Sequence, residues 1–305
     1  MKIATTTADF GSYCKNDIER IRELHRAGFR YVDLNMYSFS KRSVYMQDNW
    51  KDAVTELKVE ADRLGMTFVQ AHSQGGNALT DDSAQVQFLV DATVRSIEIC
   101  NELGIESTVV HPGYAKGIGK EEWFEKNRSF YKKLFSAMET FGVNVLIENS
   151  TASNMKEKYF ANSGSDMLDF LHFVGHPRLH ACWDTGHANC EGGQYEDILT
   201  LGKELYAIHY NDNHGLKDEH LIPYFGTLNH DEVINALIDV DFKGYFTLEC
   251  SSVLIPKNYW LGGRKNFEQD TRLSEPQFFM QQRLEALMYD TVRYMLSAYN
   301  LFEEI

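Results

Sequence analysis

One unit recurs along the chain, and it leaves few folds open. An amphipathic helix stops at a glycine, and a short apolar run rich in β-formers follows. Ile18, Ile21 and Leu24 stand at three-residue spacing among charges, then comes Gly28, then Tyr31 to Leu34. Apolar residues so spaced line one helix face, and glycine suits the left-handed position just past a helix end. The same order is read at Leu64-Gly65 then Thr67 to Ala71, at Leu103-Gly104 then Ser107 to Val110, and at Phe141-Gly142 then Asn144 to Ile147. Weaker copies are Gly175 then Leu179 to Trp183, Gly202 then Leu205 to Ile208, and Gly244 then Tyr245 to Leu248. With Lys2 to Thr6 as the first, eight strands are predicted.

The runs lack polar alternation, as expected of parallel strands covered on both faces. Eight alternating β-α units predict a (β/α)8 TIM barrel with right-handed crossovers. It is read as a single domain over residues 1–305, the barrel at about 1–250 and a loop plus helical extension at about 251–305. The alternative, an open doubly wound sheet, usually carries Gly-x-Gly-x-x-Gly after its first strand, and none follows here. Ser251 to Pro276, with Trp260, Gly262 and Gly263, reads as an irregular stretch, either an active-site loop or a subunit contact. Gln277 to Asn300 reads as a long helix.

Composition narrows the setting. No run of about 18 apolar residues occurs, so no membrane span is expected, and the polar start does not resemble a secretory signal. Five scattered cysteines without a Cys-x-x-Cys pair fit free thiols in a reducing compartment. A cytoplasmic location is therefore expected. The formal charge of −14 argues against a nucleic-acid partner.

In such a barrel, chemistry sits at the C-terminal ends of the strands. Strand three ends at His72, strand four at His111 and strand five at Glu148. Strand six ends at Asp184, with His187 three residues on, strand seven at His209 and strand eight at Glu249. The loop after strand seven adds Asp218 and His220. A lone His there is ordinarily a hydrogen-bonded loop residue, and a lone Glu a helix N-terminal carboxylate. Six consecutive strand ends are another matter, because in a barrel they converge on one axis. Carboxylates sharing one small mouth repel, and a divalent cation relieves that. Oxygen and imidazole donors suit Zn²⁺, Mn²⁺, Co²⁺ or Mg²⁺. No nucleotide or organic cofactor is expected.

Ile147-Glu148-Asn149, Asp184-Thr185-Gly186-His187, His209-Tyr210-Asn211-Asp212 and Leu248-Glu249 resemble the xylose-isomerase-like TIM-barrel superfamily. That group includes sugar and sugar-phosphate isomerases and epimerases, and the endonuclease IV family (AP endonuclease family 2). The resemblance covers roughly Lys2 to Cys250. From the ketose 3-epimerases it implies a metal held by Glu148, Asp184, His209 and Glu249, with the two glutamates as the acid/base pair and His187 on the substrate. Those epimerases use an Arg in the loop after strand seven, where this chain has His220. From endonuclease IV it implies further ligands, matching His72, His111, His187, Asp218 and His220. In the sugar reading, His72, His111, His187 and His220 contact substrate instead.

The function expected is a metal-dependent isomerase or epimerase of a small sugar, polyol or sugar phosphate. One glutamate takes the proton next to a carbonyl, the cation stabilises the enediolate, and the other glutamate returns a proton. Dehydration of a polyol-derived ketone begins with the same step. The alternative is a multinuclear zinc phosphodiesterase acting on abasic DNA. A third possibility is a non-catalytic sugar sensor. A homodimer is implied by the resemblance alone. Tyr114, Phe225 and Trp260 are candidate pocket walls, Gly75-Gly76 a flexible turn, His214 and His230 surface residues, and Thr80 the cap of the following helix.

Overall fold

The computed structural model of the protein describes residues 1–155, 159–250, 253–254 and 276–303. Eight parallel strands are present: β1 Ile3–Thr6, β2 Tyr31–Asn35, β3 Thr67–His72, β4 Ser107–Val109, β5 Asn144–Glu148, β6 Leu179–Asp184, β7 Leu205–His209 and β8 Phe246–Leu248. They pair in sequence order from β1 to β7, and β1 also pairs with β8. The β7–β8 seam is short. It is closed by a parallel bridge, Tyr210 to Leu248, with Tyr210 N donating to Thr247 O at 2.7 Å and Glu249 N to Tyr210 O at 3.1 Å. The result is a nearly closed (β/α)8 barrel, as the repeated unit predicts.

Helices surround it: α1 Asp17–Ala27, α2 Trp50–Leu64, α3 Ser83–Leu103, α4 Lys120–Tyr131, α5 Phe135–Phe141, α6 Ala152–Met155, α7 Gly164–Val174, α8 Thr185–Glu191, α9 Tyr195–Leu201, α10 His230–Asp239 and α11 Phe278–Ala298. In α1 the Asn16 side chain accepts from Glu19 N, and the buried face carries Ile21 and Leu24. At its end Gly28 takes φ 115°, and a Cβ there would also strike the Tyr289 ring at 2.9 Å. Two units depart from the pattern. The helix before β8 ends at Asp239 with Val240 as its cap, and Asp241, not Gly244, takes the positive φ of 55°. The cap of α3 is Asp82 rather than Thr80. Its carboxylate accepts from Ala84 N and Gln85 N, because it stands immediately before the first helical residue.

Most of the core lies between strands and helices. Inside the barrel, Val109, Leu146, Cys182 and Ala207 form a separate small apolar cluster. Trp183, one residue along from Cys182, points outward as expected and donates to Gln194 Oε1 at 3.0 Å. The long C-terminal helix packs on α1 and β1. Tyr289 meets Phe29 edge-on at 5.1 Å, and Gln282 donates to Glu23 at 2.6 Å. Among the described residues no helix is long and apolar enough to cross a membrane. Most of the irregular stretch from 251 to 276, with Trp260, Gly262 and Gly263, lies outside the described residues.

Candidate metal centre and active site

Period-two alternation turns every second strand residue inward. At the C-terminal ends this delivers His72, Glu148, Asp184 and His209, all buried, with Glu249 one residue past β8 and His111 two past β4. Every candidate metal ligand and catalytic residue predicted from the sequence arrives at this one mouth, and donor atoms fall into overlapping groups. Glu148, Asp184, His209 and Glu249 each place a donor within 4.8 Å of the others. So do His187, Asp218 and His220, and so do His72, Glu148 and His209. These clusters could hold a metal ion.

Glu148 is the hub. Its Oε1 lies 3.0 Å from His209 Nδ1 and 3.8 Å from His187 Nδ1. Its Oε2 lies 3.3 Å from His111 Nε2 and 3.6 Å from His72 Nε2. Glu249 Oε2 reaches the same His209 Nδ1 at 3.5 Å. Asp218 Oδ2 bridges His187 Nε2 at 3.1 Å and His220 Nε2 at 3.0 Å. Burial would raise Glu148, but its imidazole neighbours, His209 first, outweigh it and hold its carboxyl well below the usual range. Burial, aided by the charges of Glu148 and Asp218 and opposed by His187, pushes Asp184 up to about 6. For His187 burial works downward, yet Asp184 and Asp218 carry it up to about 10. Burial leaves His111 low, at about 3, so its ring stays neutral.

Backbone contacts orient two of the imidazoles. His72 Nδ1 faces Ser73 O at 2.9 Å, and His220 Nδ1 faces Glu249 O at 2.8 Å. In both, Nδ1–H donates to the carbonyl, which leaves Nε2 facing the mouth. Asp184 is held from three sides: His187 N donates to Oδ1 at 2.6 Å, Asn211 Nδ2 donates to Oδ2 at 2.8 Å, and Asn149 brackets its backbone. Gly186 leaves room for that Asn211, since a Cβ would overlap its Oδ1 at 1.8 Å. Asp212 accepts from Gly226 N and Leu228 N, pinning the loop that carries Asp218 and His220. His220 itself sits at φ 49°.

Several contributors went unread in the sequence. Gln70 lies 2.7 Å from His209 Nε2, and Asp33 lies 3.8 Å from it. Both are inward positions of β3 and β2, and counting back two from His72 finds Gln70. Asn154 donates to Asp218 at 2.8 Å. A cavity of about 610 Å³ opens over the cluster, lined by Asn35, Tyr37, Tyr114, Ser150 and Asn154 together with Glu148, Glu249, Asp218 and the site histidines other than His209. That volume suits a small-molecule site. Tyr114 is at the wall as expected; Phe225 is 53% exposed and does not line the cavity, and Trp260 lies outside the described residues. His230 is a further correction. Its side chain is only 10% exposed, because Tyr210 OH lies 2.7 Å from its Nδ1 behind β7, whereas His214 is exposed as read.

The family model described as xylose isomerase-like TIM barrel matches residues 21–270. The chain belongs to this family. An uncharacterized protein of Methanocaldococcus jannaschii is 27% identical over 164 residues, covering 52% of this chain and 55% of the relative. A probable endonuclease 4 of Mycoplasma mycoides subsp. mycoides is 26% identical over 181 residues, covering 53% of this chain and 59% of that protein. The chain thus spans just over half the length of these curated relatives. D-Psicose 3-epimerase from Clostridium cellulolyticum H10, solved with D-tagatose, shares the fold, with a TM-score of 0.74 at 19% identity over 97% of this chain and 99% of that one.

Proposed function

We propose that the protein is a metal-dependent isomerase or epimerase of a small sugar, polyol or sugar phosphate. The carrying observation is that Glu148 and Glu249, from strands on opposite sides of β6 and β7, converge on one nitrogen of His209 at 3.0 and 3.5 Å. Asp184 completes the group. The likeness to the sugar epimerase fold supports the reading.

The donor set fits a divalent cation. Glu148 Oε2 and His187 Nδ1 are buried without a hydrogen-bond partner among the described residues, although burying such atoms unpaired is costly. Glu148, Asp184, His209 and Glu249 would hold the ion. His72, His111, His187, Asp218 and His220 would either hold further ions or bind substrate. A bound cation would supply Lewis-acid polarisation of the substrate carbonyl and its neighbouring hydroxyl. The rest falls to the side chains. One glutamate takes the proton from the carbon next to the carbonyl, and the electron pair moves onto the carbonyl oxygen. The other glutamate returns a proton to the same carbon from the opposite face, or to its neighbour for isomerisation. His187 orients a substrate hydroxyl.

Protein purified without added metal or chelator, assayed for metal content and then on a panel of ketoses, tests this reading. About one ion per chain with turnover of a ketose is expected. Two or three zinc ions, no sugar turnover and cleavage of abasic DNA would replace it with the phosphodiesterase reading.

A further inference from the structure

Tyr37, just after β2, holds an unusual seat. Gly75 N donates to Tyr37 O at 2.9 Å, which ties the loop after β3 to the loop after β2. The ring then lies over the Gly75 Cα. A Cβ built there would stand 2.2 to 2.5 Å from the ring's outer carbons. Gly75 was read as a flexible turn, but it has no positive φ, so clearance for this ring, not backbone freedom, calls for glycine. The ring also meets His72 edge-on at 5.1 Å and His111 at 6.3 Å. It lines the cavity and is 45% exposed, and its hydroxyl has no hydrogen-bond partner among the described residues. Burial, then the charges of Glu148 and Glu249, raise the phenol above its usual range. A tyrosine hydroxyl is a neutral donor at neutral pH, and this one opens into the cavity that Glu148 and Glu249 also line.

We propose that Tyr37, seated on Gly75, is a substrate-binding residue whose hydroxyl donates to an oxygen of a sugar lying between it and the Glu148–Glu249 pair. The assignment rests on the sugar reading above. The ring edge confines His72 and His111, and the phenol reads the substrate from the cavity wall. Nothing in this role requires a charge, so a hydroxyl or carbonyl oxygen is the group recognised.

Gly75→Ala offers a test that does not depend on deleting the aromatic residue. The backbone there accepts alanine, and the atoms in its way are the far end of one side chain, so the ring moves while the fold stays. Wild type, Tyr37→Phe, Tyr37→Ala, Gly75→Ala and the double variant Tyr37→Ala/Gly75→Ala would be loaded with manganese. They would be assayed on D-psicose, D-tagatose and D-fructose. Calorimetry with sorbitol, which has no carbonyl to react, reads binding separately. Tyr37→Phe should lower kcat/KM about two- to tenfold, the span expected for one neutral hydrogen bond. Tyr37→Ala should lower it further and weaken sorbitol binding. Gly75→Ala should match Tyr37→Ala, keep its melting temperature within about 2 °C of wild type, and add nothing to it in the double variant. If wild type is active and both Tyr37 variants match it, the role of Tyr37 is overturned while the sugar reading stands. A Gly75→Ala protein with wild-type kcat/KM overturns the seat. A wild type that neither turns over nor binds any of these sugars overturns the sugar reading, and this assignment with it.

Discussion

The two halves of the barrel interior are built from different chemistry. Beneath the mouth, β4 to β7 contribute Val109, Leu146, Cys182 and Ala207, a dry packed layer. At β2 and β3 the inward positions carry Asp33 and Gln70, both buried. His209 stands between them. Its Nε2 faces Gln70 and Asp33, and its Nδ1 faces Glu148 and Glu249. The Gln70 amide nitrogen, 2.7 Å from Nε2, fixes the plane of the ring and so the direction in which Nδ1 faces the cluster. The apolar half sets where the strands lie; the polar half sets which way one imidazole points. Partners behind a ligating histidine commonly have this effect.

Substitutions can separate the two contributions. The largest effect is expected at the hub: Glu148→Gln should lower kcat about 10²–10⁴-fold and reduce metal content, both measurable on one preparation. Full activity in that variant would remove Glu148 from the chemistry. Next, Leu146→Ala should cost about 2–5 kcal/mol in chemical denaturation, with metal affinity near wild type. A large loss of metal affinity would mean that the dry layer also orients ligands. Gln70→Leu should do the reverse, weakening metal binding about 10–100-fold in a competition titration with a chelator, at a smaller cost in stability.

The smallest effect lies outside this contrast, where the extension meets the barrel. Asp9 and Glu285 of α11 are buried and share a hydrogen bond, and Thr5 donates to Asp9 at 2.5 Å. Burial raises Asp9 to about 7, and burial with the Asp9 charge raises Glu285 well above its usual range. Their folded pKa values exceed the unfolded ones, so the folded state binds more protons between about pH 4 and 7 and above. Stability from this pair is full below pH 4 and is lost as pH rises through 7. Asp9→Asn should flatten that decline by about 1–2 kcal/mol in denaturation curves taken from pH 5 to 8. An unchanged slope would show that the pair does not share a proton.

Much of this was legible along the chain. The strand runs fall within a residue or two of the observed β1 to β8, because strand length, helix periodicity and the stop glycines are local properties. The candidate ligands were legible for the same reason: a barrel assigns strand ends to one place, so position in the unit implied convergence. The exceptions are instructive. Gly244 lost its role to Asp241, and Thr80 to Asp82, where more than one nearby residue could serve.

What the sequence by itself determined is the repeat, its eight strands and the row of His, Asp and Glu at their ends. Tertiary structure decided how those donors group around Glu148, that Gln70 and Asp33 stand behind His209, that His230 is buried against Tyr210, and that Gly75 makes room for Tyr37. Each of these joins residues from different β-α units. Such contacts depend on how far each strand is staggered against its neighbour and on the space left between side chains, and neither quantity is written in the spacing of residues along one unit.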